Sequence, residues 1–142
     1  MDDISGNLDQ HLLEAYLATT YEVQHLGLKI KIGVANWSLE EFLVDNNVFT
    51  WAFISAYNPR SRPLSFEENE KRHARLVSDV KGSKLAFSEG FDVPDQDDWE
   101  AEKSLLILDI SKKDSVALGK KFEQNAIVFG RLGGSPELVV LS

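Results

Sequence analysis

The chain contains no cysteine, and this absence excludes disulfide bonds, thiolate catalysis and every Cys-ligated zinc or iron–sulfur site. The histidines His11, His25 and His73 stand in separate segments and form no HxH or HExxH group. The sequence therefore predicts no metal site and no cofactor. A nucleophile elbow, a Walker loop and a GxGxxG motif are also missing, which removes the usual signatures of acyl-transfer and nucleotide chemistry.

Cations and long apolar runs are scarce as well. Lys and Arg together number 15 against 23 Asp and Glu, and the formal net charge is −8. An acidic chain repels nucleic-acid backbones and anionic membrane surfaces. No window approaches the roughly 18 apolar residues of a membrane span, and residues 1–10 do not resemble a targeting segment. We therefore expect a cytoplasmic protein that binds neither nucleic acid nor membranes.

The length and the hydrophobic pattern predict one α+β domain over residues 1–142. The predicted elements, in chain order, are a helix over 9–26, a strand over 28–32, a helix over 38–43, a strand over 48–56, a helix over 65–82, strands over 84–87 and 104–110, a helix over 111–122, and strands over 126–129 and 138–141. This α-β-α-β-α-β-β-α-β-β order favours helices packed on a mixed or largely antiparallel sheet.

The predicted helix starts depend on side chains that bind free backbone N–H groups. The capping pairs are Asn7 with Gln10, Ser38 with Glu41, Ser65 with Glu68, and Ser111 with Asp114. Between the last two strands, Gly-Gly-Ser-Pro at 133–136 predicts a hairpin turn.

A loop with two arginines, Asn58-Pro-Arg60-Ser61-Arg62-Pro, joins a buried strand to the start of a helix. The end of a strand and the positive end of a helix are both common places for anions. Arg60 and Arg62 would add two planar donors. The sequence thus suggests a site for a small anionic ligand such as a phosphate or carboxylate. The alternative is a rigid loop with solvated arginines.

Polar residues elsewhere would complete this site. Asn69 lies one turn inside the helix, on the face that also carries His73, and it would either bind a ligand with Asn58 or tie the loop to the helix. Gln124 and Asn125 stand where the last helix meets a strand. Glu102 begins a strand after an acidic loop, and a carboxylate there would act as a general base or pair with an arginine. In that loop Trp99 is a candidate anchor.

At these residues the chain resembles a bacterial family of unknown function, DUF3293. The shared features are Ala56-Tyr57-Asn58-Pro59 with Ser61, Ser65-Phe66-Glu67-Glu68-Asn69, Trp99 to Ser104, and Phe122-Glu123-Gln124-Asn125-Ala126-Ile127. The resemblance covers about residues 47–130, and residues 1–45 look like a variable N-terminal part. It implies that Asn58, Asn69, Glu102, Gln124 and Asn125 belong to the family pattern, but it implies no activity and no catalytic residue.

Two main hypotheses follow. The first is a small binding or regulatory module that holds a small anionic or polar ligand, or a protein partner, at the loop over 58–69. The alternative is a small hydrolase or transferase with Glu102 as general base and Asn58, Asn69 and Gln124 as orienting amides. A third hypothesis is a subunit that works only in an oligomer, which an exposed apolar patch would favour.

Overall fold

The computed structural model describes residues 9–96 and 100–141 of the chain. Its helices are α1 (Gln10–Leu17), α2 (Trp37–Asp45), α3 (Phe66–Ser83) and α4 (Lys112–Lys121). Its strands are β1 (Thr19–Val23), β2 (Leu28–Ile30), β3 (Thr50–Ser55), β4 (Phe87–Pro94), β5 (Glu102–Leu108), β6 (Ala126–Arg131) and β7 (Glu137–Val140). The α+β class is confirmed. Asn7 and Trp99, which the sequence assigned to a helix cap and a loop anchor, lie outside the described residues.

The strands form one seven-stranded sheet in the order β2-β1-β4-β5-β3-β6-β7. Every neighbouring pair is antiparallel. Strand β3 pairs with β5 on one side and β6 on the other, and its residues from Trp51 to Ser55 are all buried. A run without charged residues is typical of such a strand, because both of its faces are covered.

Helices cover both faces of the sheet. On one face α3 and α4 pack against alternate residues of the central strands, which include Ile54, Leu105, Ile107, Ile127 and Phe129. On the other face the apolar core is built from Val23, Ile30, Trp51, Phe53, Leu106 and Val128, with Leu39 and Leu43 of α2. The period-two alternation of strand side chains explains how one sheet serves two separate cores.

The sheet is strongly curled around the second of these cores. Two strands, β4 and β5, lie between β1 and β3, so a flat sheet would hold β1 and β3 about 14 Å apart. The rings of Tyr21 on β1 and Phe53 on β3 nevertheless lie 5.5 Å apart, edge to face. Gly90 permits this contact, because a Cβ atom there would lie 2.7 Å from the Phe53 ring and 2.5 Å from the Glu22 carbonyl oxygen. The curl brings the Gly33 N–H within 2.8 Å of the Pro136 oxygen.

The structure differs from the sequence prediction at two places that matter for the site. The helix predicted over 9–26 ends at Leu17, and the chain continues as β1, where Thr19, Thr20, Tyr21 and Val23 favour a strand. The strand predicted over 84–87 is instead β4, which extends to Pro94. The residues from Glu89 to Pro94 therefore belong to the sheet and not to an acidic loop.

Two of the four predicted helix starts agree with the structure, and the one at Asn7 lies outside the described residues. Ser65 and Glu68 form the predicted capping box of α3, and Ser111 caps α4. Helix α2 is capped by Asn36 rather than by Ser38, which lies inside its first turn. Asp9 caps α1 by accepting a hydrogen bond from the Leu12 N–H. Within residues 9–96 and 100–141, no helix is both long enough and apolar enough to cross a bilayer.

Candidate functional site

Five strand ends meet at one end of the sheet. Because the neighbours are antiparallel, β3 and β4 finish where β1, β5 and β6 begin. The loop after β3, the junction before β6 and helix α1 lie at the same end. The mouth of a curled sheet is a common position for a ligand site. The polar residues that the sequence scattered over the chain are thereby brought close together.

A cavity of about 60 Å³ lies at this end, on the inner face of the curl. We call it the strand-end cavity. Its wall is formed by Tyr16, Tyr21, Phe53, Ser55, Tyr57, Asn58, Ser61, Asp92, Glu102, Gln124, Asn125, Ala126, Ile127 and Val128. A water molecule needs about 10–15 Å³ by this measure, so the cavity has room for a few waters or a ligand of a few heavy atoms.

Two carboxyl side chains face each other in this cavity. Asp92 on β4 is directly opposite Glu102 on β5, and Tyr21 on β1 is directly opposite Asp92. Residues opposite each other in adjacent strands point to the same face, with Cβ atoms typically about 5 Å apart. The three side chains therefore form a row across three neighbouring strands. Ser104, two residues after Glu102, donates a 2.8 Å hydrogen bond to the Asp92 carboxylate.

Burial and mutual repulsion change the acidity of these groups. The pKa of Asp92 is raised from 3.8 to about 8, first by burial and then by the charge of Glu102, against the opposing effect of the Ser104 hydrogen bond. Burial also raises the pKa of Glu102, while the hydrogen bond from Asn58 acts to lower it. The pKa of Tyr16 is raised by burial and by both carboxylates. At neutral pH the pair therefore holds a proton that a solvated pair would release.

Asn58 holds Glu102 in position and is itself held by Asn69. Its side-chain amide donates to Glu102 at 2.9 Å, and its side-chain oxygen accepts from Asn69 at 2.8 Å and from the Leu64 N–H at 2.9 Å. The Asn58 backbone N–H donates to the Asn69 oxygen at 2.8 Å. Asn69 is buried and does not line the cavity. Its observed contacts fasten the loop to α3, and they orient the Asn58 amide toward Glu102.

Gln124, Asn125 and Ser61 form the opposite rim of the cavity. The Gln124 amide donates to the Tyr57 carbonyl at 3.1 Å and the Phe122 carbonyl at 3.2 Å. The Asn125 amide donates to the Ser61 hydroxyl at 2.8 Å. The Gln124 amide thus donates to two protein oxygens and the Asn125 amide to one. Among the described residues, no donor binds the side-chain oxygen of Gln124 or that of Asn125.

The arginines of the loop do not belong to this wall. Arg60 and Arg62 are exposed and do not line the cavity. The loop has a strained backbone, with φ of 44° at Asn58, 53° at Arg60 and 61° at Ser61. It is stabilised by the Arg60 N–H, which donates to the Glu123 carbonyl at 2.7 Å. Arg72 of α3, which the sequence did not single out, donates to the carbonyls of Ala56 and Phe122.

A separate polar cluster lies on the other face of the sheet, under α3. Nε2 of the buried His73 lies 2.8 Å from a Glu89 carboxylate oxygen. Glu70 accepts hydrogen bonds from the Tyr57 hydroxyl and, at 2.7 Å, from Lys103. These two contacts lower the pKa of Glu70, the one from Lys103 more strongly. The cluster joins the helix to the sheet, and none of its charged members lines the strand-end cavity.

The sequence did not identify Asp92 and the tyrosines of the wall as site residues. The alternation of Phe91, Asp92 and Val93 is a period-two signal that would have placed Asp92 in a strand. Tyr16 and Tyr21 were assigned to the core of one long helix. Residues 19–23 include three β-branched side chains and a tyrosine, a composition that is typical of a strand. This composition distinguishes the strand that carries Tyr21 from the helix that carries Tyr16. No local signal predicts that Asp92 lies opposite Glu102, because register depends on the whole sheet.

The cavity is suited to ligands that donate hydrogen bonds. One carboxylate oxygen of Glu102 and one of Asp92 each accept a hydrogen bond from the protein. No described residue donates a hydrogen bond to the second oxygen of either carboxylate. Across residues 9–96 and 100–141, no group of three or more His, Cys, Asp or Glu side chains is arranged to hold a metal ion. A carboxyl pair with unequal surroundings is also the usual arrangement for general acid–base chemistry.

The fold and the site define an α+β protein whose curled antiparallel sheet encloses a small acidic cavity at its strand ends. The profile of the family described as "Protein of unknown function (DUF3293)" matches residues 54–127. The chain belongs to this family, as the resemblance in the sequence suggested. No curated protein and no solved structure matches the chain significantly.

Proposed function

We propose that this protein is a small-ligand-binding module and that its site is the strand-end cavity. The single observation that supports the proposal is that the half-buried side chains of Asp92 and Glu102 lie directly opposite each other at a cavity that neither fills. Two adjacent half-buried carboxyl groups destabilise a fold, because each loses part of its hydration and repels the other. Groups with perturbed pKa values in a cleft are more typical of a functional site than of a structural element.

The polar ligand class is favoured over the anionic class at this cavity. Its charged wall residues are the two carboxyl groups, and the amides of Asn58, Gln124 and Asn125 each donate at least one hydrogen bond to a protein acceptor. An anion would meet like charge there. The anionic alternative would need Arg60 and Arg62, which are exposed outside the cavity wall.

A test is to titrate isotope-labelled protein with small amines, polyols, carboxylates and inorganic phosphate while recording amide NMR spectra. We expect at least one class to cause saturable shifts at cavity residues such as Ser55, Asn58 and Gln124. Glu102→Gln should weaken this response, because Gln keeps the shape but not the charge. Glu41→Gln, at an exposed position of α2, is the matched control. Saturable shifts that all lie away from the cavity would contradict the proposal.

A small hydrolase or transferase is the second candidate function. It is favoured by the unequal surroundings of the two carboxyl groups. Glu102 accepts a hydrogen bond from Asn58, which stabilises its ionised form, whereas burial raises the pKa of Asp92 to about 8. Glu102 would then act as the general base and Asp92 as the general acid.

The two functions differ in what happens to the ligand. If the protein only binds, a compound that shifts the cavity resonances is recovered unchanged after long incubation. If the protein is an enzyme, product accumulates, and Glu102→Gln abolishes turnover while the NMR spectrum stays folded. Retained turnover in that variant would exclude Glu102 as the base.

A further inference from the structure

We propose that the ligand of the strand-end cavity is a small organic ammonium ion. This inference rests on the proposed function and narrows it to one chemical class. It is drawn from the hydrogen-bonding capacity, the aromatic surface and the size of the cavity.

Several hydrogen-bond acceptors on the cavity wall receive no donor from the described residues. The second oxygens of Asp92 and Glu102 and the side-chain oxygens of Gln124 and Asn125 receive no hydrogen bond from any described residue. The Gln124 amide donates to two protein carbonyls, and the amides of Asn58 and Asn125 each donate one hydrogen bond to a protein oxygen. A primary ammonium group carries three donors and no acceptor, so it complements this set. A carboxylate or phosphate ligand would leave the acceptors unpaired and add repulsion.

Aromatic side chains form much of the remaining wall. Tyr16, Tyr21, Phe53 and Tyr57 line the cavity together with the two carboxyl groups. Aromatic rings attract organic cations through their negative faces, and this attraction increases when water is excluded. Tyr21 is 3% exposed and Phe53 is 2% exposed, so this part of the wall is dry. Carboxylates combined with aromatic rings are a typical environment for ammonium groups.

A metal ion fits the same wall less well. Calcium takes six to eight oxygen ligands and magnesium demands an octahedral set. In the part of the chain that the structure describes, no cluster of three or more candidate metal ligands occurs. The volume of about 60 Å³ also limits an organic ligand to a few heavy atoms, or to the ammonium end of a longer molecule.

The charge of the site makes a second readout available. Asp92 is faced by Glu102 on β5, by Tyr21 on β1 and by Tyr16 on α1, and Ser104 donates to it. An ammonium ion between the carboxyl groups favours their ionised forms, so binding should release a proton. The affinity for an ammonium ligand should therefore rise by about tenfold between pH 6 and pH 8.

The experiment compares ethylammonium chloride, ethanol, sodium acetate and calcium chloride by amide NMR titration at constant ionic strength. The three organic probes are of similar size and differ in charge. A ligand of three heavy atoms binds no tighter than about the millimolar range, so the titrations must extend well beyond that range. We expect saturable shifts at cavity residues with ethylammonium only. Glu102→Gln should weaken the binding by at least about tenfold, and Glu41→Gln should leave it unchanged.

The outcomes separate this inference from the function on which it rests. If ethanol, acetate or calcium saturates the cavity more tightly than ethylammonium, the ammonium class is wrong and a binding site remains. If ethylammonium binding survives Glu102→Gln, or weakens as the pH rises from 6 to 8, the ammonium class is also wrong. If no probe shifts the cavity residues and shifts appear only elsewhere, both proposals are overturned.

Discussion

Replacing Asp92 by Asn should stabilise the protein, although the replacement alters a hydrogen-bonded group in the sheet. Asn has nearly the same shape as Asp, and its side-chain oxygen can still accept the 2.8 Å hydrogen bond from Ser104. The change removes only the charge that faces Glu102. A residue whose role is to bind ligand is often kept at the expense of stability. A residue whose role is structural would give the opposite result.

The magnitude follows from the pKa of Asp92, which is about 8 in the folded chain against a usual 3.8. Below pH 3.8 both states are protonated, and the group does not affect the free energy of unfolding. As the pH rises, the unfolded chain releases its proton first, so stability falls until about pH 8. Each pKa unit corresponds to about 1.4 kcal/mol, which gives about 4 kcal/mol at pH 7. Relaxation and water entry reduce this penalty, and we expect a net gain of about 1–3 kcal/mol in the variant.

Urea denaturation measures this difference directly. The free energy of unfolding of the wild type and of Asp92→Asn should be compared at pH 5, 6, 7 and 8. We expect the variant to be more stable by about 1 kcal/mol or less at pH 5 and by an amount that grows toward pH 8. Asp109→Asn is the matched control, because Asp109 is exposed and lies outside the cavity wall, and Asn tolerates its φ of 61°.

The reasoning would be refuted by a variant that is less stable than the wild type at pH 8. That result would mean that the Asp92 carboxylate stabilises the fold. A difference that does not change with pH would refute the linkage argument separately. In that case the effect would come from packing and not from ionisation.

Two further predictions concern the residues that position the site. Asn69→Ala should lower the free energy of unfolding by about 2–3 kcal/mol, because it leaves the Asn58 N–H without its acceptor. The control is Lys71→Ala, at an exposed position of the same helix. In the same urea experiment it should change the free energy of unfolding by less than about 0.5 kcal/mol. Gly90→Ala should cost about 2 kcal/mol or more, since its Cβ atom would lie 2.5 Å from the Glu22 oxygen. Gly82→Ala is the control, because no atom lies within 4 Å of its Cβ position in α3, and it should raise the melting temperature. Equal effects of the two glycine substitutions would contradict the proposed origin of the curl.

Local signals in the sequence predicted the elements whose causes are local. The capping box joins Ser65 to Glu68, which stands three residues later, and it fixes the start of α3. Because both residues are neighbours in the sequence, the sequence alone predicts this helix start. The lack of charged residues in β3 likewise indicates that both faces of this strand are buried. Asn58, Glu102 and Gln124 were singled out because they stand at strand and helix ends and belong to the family pattern. The structure places all three at one cavity.

Properties that depend on pairing between distant strands were not predictable in this way. Asp92 stands in an acidic stretch that resembles a solvated loop, and only its pairing with Glu102 and Tyr21 gives it a half-buried environment. The curl depends on Gly90, and a lone glycine in a strand does not indicate which side chain will occupy the space above it. The end of α1 was missed because Leu12, Leu13, Tyr16, Leu17 and Tyr21 recur at helical spacing, although Tyr21 already belongs to β1.

The position of the family match divides the cavity wall into two parts. The carboxyl pair and the amides of Asn58, Gln124 and Asn125 all lie within the matched residues 54–127. Tyr16 and Tyr21 come from residues 1–45, and β1 carries Tyr21 into the row with Asp92. The matched segment therefore supplies the charge and the hydrogen-bond acceptors, whereas the N-terminal part supplies two aromatic residues of the wall. Under the proposed function, a substitution at Tyr16 or Tyr21 is expected to alter which ligand fits without removing the carboxyl groups that would hold it.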